Sequence, residues 1–537
     1  MTSELEQPQN SHDIKRFIPL LIILMVGLFL AILNQTLLNV AIPRINTEFG
    51  VEASTSQWLL TGYMLVNGAL IPLSPFLIER FAVRRLFLFA MLCFTVGSLI
   101  CGVATGFPIM ITGRLIQAIG GGVLAPLVMT IILFIFPPEI RGKGMGIFGL
   151  AMMFAPAVGP TLSGWVVQNY NWHLLFTGMV PLGVIVLVLA FISLKDIQPP
   201  KKVAVDTLSV VTSLAGMSLL LYGFSEAGND GWTDGVVLST MIIGALLLAY
   251  FTIRQFRLEK PLLDMRIFKF NIFSLSSIIN IVLTISMYSG MFLLPIYLQT
   301  IRGYSPLDSG LLLLPGAIIM LIMSPISGTL FDKVGPRPLA IFGMVITTVT
   351  TYMFTKLTMT TPYSFIVGLY MIRMFGMSFL MMPIMTAGLN QLPKELSSHG
   401  TSMSNTLRQV SGSIGISLIT TIFTNRTDFH KEVMSGSMNT GDPFFMASFH
   451  DFVQKVAITL HIPLPQAQNQ ALQMLYGRMS QDSAISGIND AFIWATLISL
   501  VGLILSFFLR DVRKDKAKAK QSQKDEVLLL PAPKNVS

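Results

Sequence analysis

The fold this sequence predicts is an all-α integral membrane protein, built from two six-helix halves with two further helices between them. Three observations carry the prediction. Of 537 residues, 53% are hydrophobic and only 12% charged, about half the charged share of an ordinary soluble chain. The charges gather in short clusters between apolar runs of 18 or more residues, long enough to cross a hydrocarbon core. A charged loop motif also occurs twice, once in each half of the chain.

Residues 1–16 are polar and end in Lys15 and Arg16. They read as a cytoplasmic N-terminus, because the apolar run from Phe17 to Ile42 is too long for a signal-peptide core and lacks a small-residue cleavage site. Breaks at charged or Pro/Gly-rich stretches then divide the chain into fourteen spans, at 17–42, 54–78, 84–105, 108–135, 144–167, 173–194, 207–225, 236–253, 271–300, 309–331, 338–355, 362–388, 401–425 and 487–509. The N-terminal half covers 17–194, the two inserted helices and their linkers 195–270, and the C-terminal half 271–510.

Basic residues set the orientation. Arg80, Arg84 and Arg85, then Arg141 and Lys143, then Lys195, Lys201 and Lys202 fall in one set of alternate loops, as do Arg254, Arg257, Lys260, Lys333 and Arg337. The opposite loops hold isolated cases such as Arg44 and Arg302. Positive charge stays inside, so both termini are expected in the cytoplasm. The basic tail, 511–537, would lie beside anionic lipid. Between the last two spans, 426–486 is a long extracytoplasmic insertion. Phe445, Phe449, Phe452, Val456 and Leu460 recur there at helical spacing. Ile462-Pro463-Leu464-Pro465 breaks the run, and Leu472, Leu475, Tyr476 and Met479 resume it, which predicts a helical hairpin.

The repeated motif reads Gly328-Thr-Leu-Phe-Asp332-Lys333-Val-Gly335-Pro-Arg337 in the second half and Pro75-Phe-Leu-Ile-Glu79-Arg80-Phe-Ala82-Val-Arg84-Arg85 in the first. Gly335 suits a turn that needs positive φ. Lys333 and Arg337 complement a helix C-terminus and an anionic leaflet. Asp332 and Glu79 are suited to cap a facing helix N-terminus, or to pair with a base, in one conformation only. The loops thus read as a conformational latch of Glu79, Arg80, Arg84, Arg85, Asp332, Lys333, Gly335 and Arg337. Two related halves around a midplane site are what alternating access requires.

With these motifs the chain resembles the major facilitator superfamily, in its fourteen-span drug:proton antiporter branch of multidrug and lincomycin exporters. Leu33-Asn34-Gln35-Thr36-Leu-Leu-Asn39-Val40-Ala41-Ile42-Pro43 resembles that branch's first-helix motif, and Arg114-Leu-Ile-Gln117-Ala118-Ile-Gly120-Gly121-Gly122 its fourth-helix motif. Ala155-Pro156-Ala-Val-Gly159-Pro160-Thr-Leu-Ser163-Gly164-Trp165 resembles the antiporter motif of the fifth helix. Asn34 stands where a carboxylate is usual. Pro75, Glu79 and Ala82 replace glycine, aspartate and glycine, and Ser163 replaces glycine. The resemblance implies a multi-pass bacterial plasma-membrane exporter that works as a monomer on amphipathic or toxic compounds, exchanged for protons. A dedicated exporter of a lipid-like or signalling molecule, with altered coupling, is the alternative.

Within the spans, Arg114 stands out, since a central arginine costs roughly 2.5–3.5 kcal/mol on insertion scales. Gln117 lies one turn away on the same face, and Asn34, Gln35 and Asn39 of the first helix offer acceptors. These five form the candidate substrate and coupling cavity. Pro156, Gly159, Pro160 and Gly164 bend and smooth the fifth helix, as rocking between halves would require. No carboxylate sits clearly in mid-membrane. Glu226 and Asp308, near span ends, are the candidate proton carriers. Met152, Met153, Met287, Met291, Met381 and Met382 would make a deformable apolar pocket.

Other functions fit poorly. The net charge of +9 is spread over alternate loops and the tail, which argues against nucleic acid. Six scattered histidines suggest no metal, and two cysteines in one apolar run exclude a disulfide framework. HExxH, GxSxG and a Walker lysine are missing from the sequence, so an enzyme or an ATP-driven pump is not expected, and no cofactor is implied.

Overall fold

The structure, a computed structural model, describes residues 18–51, 53–138, 140–194, 206–228, 231–437 and 443–510. The expected segments 1–16 and 511–537 and the lysines Lys195, Lys201 and Lys202 lie outside the described residues. Every regular element among the described residues is helical. A lipid-spanning chain is driven to this solution because each helix satisfies its own backbone hydrogen bonds.

The N-terminal half comprises α1 (Ile18–Phe49), α2 (Ala53–Leu70) continuing through a 3-10 turn into α3 (Ser74–Arg80), α4 (Val83–Gly102), α5 (Phe107–Ile135), α6 (Arg141–Asn169), the single turn α7 (Leu174–Thr177) and α8 (Met179–Ser193). Two helices follow, α9 (Thr207–Ala227) and α10 (Gly235–Arg257). The C-terminal half holds α11 (Asn271–Ile296), α12 (Pro306–Val334), α13 (Pro336–Met353), α14 (Tyr363–Ser378), α15 (Met381–Gln391), α16 (Ser397–Ser437), α17 (Pro443–Leu460) and α18 (Leu464–Ser506).

Local chemistry explains the boundaries. Gly335, at φ 91°, ends α12, and Pro336 opens α13. Glycine relieves the left-handed turn, and proline loses nothing at a helix start. Ser305 and Asp308 form a reciprocal capping box at the start of α12. Asp234 caps α10 by accepting from the backbone N–H groups of Val236 and Val237 at 2.8 and 3.1 Å. The α9–α10 pair is clamped at its other end by Asp206, whose carboxylate accepts from Arg254 Nε and Nη2 at 2.7 and 2.8 Å. That guanidinium, with help from the Ser209 hydroxyl, holds the Asp206 carboxyl down to about 2.

Thirteen helices among the described residues are long and apolar enough to cross a membrane. The helix α16 does not reach that hydropathy, although it packs between α11 and α18. Its polar face explains the shortfall, since Asn405, Arg408, Gln409, Ser413 and Ser417 turn toward an internal cavity. At 41 and 43 residues, α16 and α18 would each run about 60 Å, twice the hydrocarbon thickness. Their distal turns therefore project beyond it and carry α17. The chain breaks between Leu460 and Leu464 and turns at His461, φ 55°. From Leu464 it then runs unbroken to Ser506, so the expected second arm of the 426–486 hairpin and the last span are one helix. Val453 and Val456 of α17 bury against Ala467 and Ala471 of α18.

The most extensive contact between any two elements joins the halves, α6 against α12. Small residues permit it. A Cβ on Gly142 would stand 2.2 Å from the Gly328 carbonyl oxygen, and one on Gly328 would stand 2.1 Å from the Gly142 carbonyl oxygen. The inserted helix α9 packs on α2 and α16, on the other flank of the bundle.

Candidate functional site

A cavity of about 600 Å³ opens between the halves, lined by α1, α2, α5, α6, α9, α11, α12 and α14–α16. Its wall is mostly apolar and rich in methionine, including Met152, Met287, Met291 and Met381. Unbranched thioether side chains repack readily around different ligands. Met382 is buried outside this wall, and the Met153 side chain lies outside the described residues.

Arg114 of α5 lies at the cavity wall and is fully buried. Its Nη1 donates to Asn34 Oδ1 at 2.7 Å and to Gln117 Oε1 at 3.0 Å, and its Nε donates to the Leu59 carbonyl at 3.2 Å. The guanidinium sits 4.4 Å from the Tyr63 ring centroid, a cation–π contact. Its Nη2 makes no protein hydrogen bond. Gln117 in turn donates to Ser98 Oγ at 2.7 Å. Gln35 lines the cavity, whereas the Asn39 side chain lies outside the described residues. Pro156 also lines the cavity. On the same helix, Gly159 abuts α1, where a Cβ would meet Thr36 Oγ1 at 2.1 Å, and Gly164 faces Leu307 of α12. Pro160 lies between these two contacts inside α6.

At the end of the bundle that carries both motif loops, the halves are tied together. Asp332 Oδ1 and Oδ2 accept from the backbone N–H groups of Gly142 and Lys143 at 3.0 and 3.1 Å, capping the N-terminus of α6. Glu79 stands 3.7 Å from His399 Nε2 of α16. The His399 Nδ1 accepts the Asp264 backbone N–H at 3.1 Å, so the neutral ring carries its proton on Nε2, toward Glu79. Arg141 Nη1 reaches Asn390 Oδ1 at 3.0 Å, and Thr130 meets Thr401 at 2.8 Å. Ser402 Oγ donates to the carbonyl of Ile71, a cavity-lining residue, at 2.5 Å. This belt floors the cavity. Each half thus contributes one loop acid that reaches a helix of the other half.

Arg84 donates to the Phe191 carbonyl at 2.6 Å within its own half, and Arg80 lies over Phe76. Arg85, Lys333 and Arg337 are exposed. Of the two candidate proton carriers, Asp308 accepts from Ser305 Oγ at 2.7 Å in its capping box. Glu226 follows the lining residue Ser225 but is not itself on the wall.

Three residues escaped the sequence reading. Arg408 of α16 lines the cavity and donates from Nη2 to Asn405 Oδ1 at 2.8 Å. Arg373 of α14 is fully buried, donating from Nε to Thr351 Oγ1 at 3.2 Å and from Nη2 to the Ser286 carbonyl. Both carry the signal that marked Arg114, a lone base inside a helical run. The third is His399, whose signal was weak, one of six scattered histidines. Among the described residues no cluster of His, Cys, Asp or Glu could hold a metal ion.

Residues 24–416 match the family model described as Major Facilitator Superfamily. The chain is 62% identical over 525 residues to the MFS-type transporter YhcA of Bacillus subtilis (strain 168), covering 98% of each chain. It is 36% identical over 513 residues to the lincomycin resistance protein LmrB of the same organism, covering 95% of this chain and 99% of that one. The crystal structure of the human organic anion transporter MFSD10 (TETRAN) superposes with a TM-score of 0.59 at 12% identity, over 93% of this chain and 100% of that one. That likeness bears on the fold alone.

Proposed function

Since the chain belongs to the Major Facilitator Superfamily, it is a multi-pass membrane transporter and not an enzyme, and we propose that it exports amphipathic or toxic small molecules by alternating access, driven by proton antiport. The observation that carries this reading is the cavity between the halves, floored at one end by a belt of cross-half hydrogen bonds. A cavity so arranged suits release on the opposite side. Breaking the Asp332 cap would let α6 part from α12, and breaking the Glu79–His399 contact would let α3 part from α16, so that the cavity opens toward the loops. In this reading α16 is the fourteenth crossing, both termini face the cytoplasm of a bacterium, and the protein acts as a monomer in the plasma membrane.

Resistance-named relatives such as LmrB support export of a foreign compound. Arg114, hydrogen-bonded to Asn34 and Gln117 at the cavity wall, is the coupling group we assign. Glu226, which follows the lining residue Ser225, is the proton carrier we assign. The second reading, a dedicated exporter of a lipid-like or signalling molecule with altered coupling, draws on one observation: no aspartate or glutamate stands on the described cavity wall.

Inverted membrane vesicles decide between them. They are acidified inside, and proton release is followed while cationic, neutral and anionic amphiphiles are added. Proton release evoked by substrate and abolished by Arg114→Ala supports antiport. Ligand flux without proton movement favours the dedicated exporter.

A further inference from the structure

Resting on the exporter reading and deepening it, we propose that the central cavity is an anion site. Its ligand is an amphiphile with one carboxylate, sulfonate or phosphate group, seated on Arg408, with the buried Arg114 adding positive charge from behind the wall and the apolar body lying against the methionine-rich side chains.

The electrostatics of the wall point this way. Arg408 and Arg114 line the cavity, while no Asp, Glu, Lys or His is among its described lining residues. The partners of both arginines are neutral. Arg408 is met by the Asn405 amide, and Arg114 by the Asn34 and Gln117 amides and the Leu59 carbonyl. Amide dipoles orient a guanidinium without cancelling its charge. Arg114 Nη2 remains a buried donor without a protein acceptor, and such donors are costly until filled. Arg408, half-buried at the wall, can give an oxyanion a charge-assisted bond, the strong kind, and the buried Arg114 charge adds to its pull.

A cationic ligand would meet two like charges inside a wall of low polarity, where repulsion is weakly screened. The hydroxyls of Tyr63, Tyr288 and Thr61 and the amides of Gln35 and Gln409 complete the polar part of the wall and would hold the remaining lone pairs of an anionic head. Arg408 sits on α16 of one half and Arg114 on α5 of the other. The two charges that draw an anionic head into the cavity therefore come from opposite halves. Asn34 is decisive for the charge, since an acid at that position would neutralise Arg114 at hydrogen-bond distance.

The test uses the full-length purified protein and three fluorescent probes with one body: pyrenebutyrate, its primary amide, and the corresponding trimethylammonium. Binding is titrated in detergent, and flux is followed separately in proteoliposomes. The proposal expects pyrenebutyrate to bind at least about tenfold more tightly than the trimethylammonium probe, one charge-assisted contact's worth. Arg408→Gln should level the series, Arg408→Lys should restore part of the preference, and Asn34→Asp should reduce it while removing no cation. Equal binding of the three probes, preference for the cation, binding of none, or a preference unchanged in Arg408→Gln and Asn34→Asp overturns the anion site. Should Arg408→Gln fail to fold, the probe series on the unaltered protein and on Asn34→Asp still decides. The two readings fail separately. Anion binding without flux sinks the exporter and leaves the site, whereas proton-coupled flux of the cation alone sinks the site and leaves the exporter.

Discussion

Arg114 Nη1 and Asn34 Oδ1 meet at 2.7 Å in a fully buried position, a guanidinium held by a neutral amide. Arg114 also bonds Gln117 and the Leu59 carbonyl, so one side chain ties α1, α2 and α5 together at the cavity wall. Arg114→Lys keeps the charge but loses the planar fork that serves three acceptors at once. A hydrogen bond to a charged group is worth about 1.5–3 kcal/mol, so transport should fall about tenfold or more with the lysine. The alanine variant should be inactive. Initial efflux rates, normalised to inserted protein, check this, and normal rates in Arg114→Ala would remove Arg114 from the coupling machinery.

The Asp332 cap joins α12 of one half to α6 of the other. Asp332→Asn removes the charge that complements the α6 N-terminus and leaves one acceptor oxygen for two donors. The loss is about 1–2 kcal/mol, enough to shift a two-state equilibrium about five- to thirtyfold. The variant should expose the loop end of the cavity. Thiol labelling of a cysteine placed at Ala125 or Ile71, faster in the variant, reads this directly. Unchanged labelling would make the contact a mere anchor.

Gly142 and Gly328 make a sterically stricter version of the same seam. Each Cβ would stand about 2 Å from the other residue's carbonyl oxygen, which α6 and α12 accommodate only by separating. Gly328→Ala should therefore drive labelling at the loop end further than Asp332→Asn does, and slow transport by holding the halves apart. A Gly328→Ala protein with ordinary labelling and transport would show that the seam has slack.

Protonation tests the α9–α10 clamp. The Asp206 carboxyl titrates at about 2 in the fold and near 3.9 in an unfolded chain. A depressed folded value means the clamp's contribution is fully present above about pH 4 and is lost as pH falls toward 2. Lowering pH from 5 to 3 should thus reduce the thermal stability of the native protein more than that of Asp206→Asn. From pH 7 to 5 the two should respond alike. Melting curves in detergent decide it, and parallel losses in both proteins would remove the clamp from the acid response.

The membrane architecture was legible because its cause is crude. Backbone groups in lipid must pair within a helix, so every long apolar run announces itself. The helix α16 marks the limit of that logic, since its hydropathy is diluted by the very residues, Asn405, Arg408 and Gln409, that face the cavity. Arg114 could be named from sequence because it is the one charge in its run. Its partners could be narrowed to the first helix by face and spacing, but the bond to the Leu59 carbonyl comes from a backbone group with no sequence signature. Loop acids were legible as latch candidates through their repetition. The target of Glu79 was not, because His399 lies 320 positions away and nothing in its own neighbourhood marks it.

Arg373 makes the last prediction, because its neighbourhood contains its own control. A Cβ on Gly290 of α11 would stand 2.1 Å from Arg373 Nη1, inside a fully buried cluster that holds the guanidinium by Thr351 and the Ser286 carbonyl. Gly290→Ala must push Arg373 off at least one of these partners or push α11 from α14. Overpacking of this kind costs about 1–3 kcal/mol. Gly368, in α14 with Arg373, has nothing within 4 Å of its would-be Cβ. Gly368→Ala should therefore gain about 0.5–1 kcal/mol from helix propensity alone. Thermal unfolding in detergent should place Gly290→Ala below the native protein and Gly368→Ala at or above it. If both variants melt together, Arg373 is free to move, and the buried arginine of the second half is not held in place by packing.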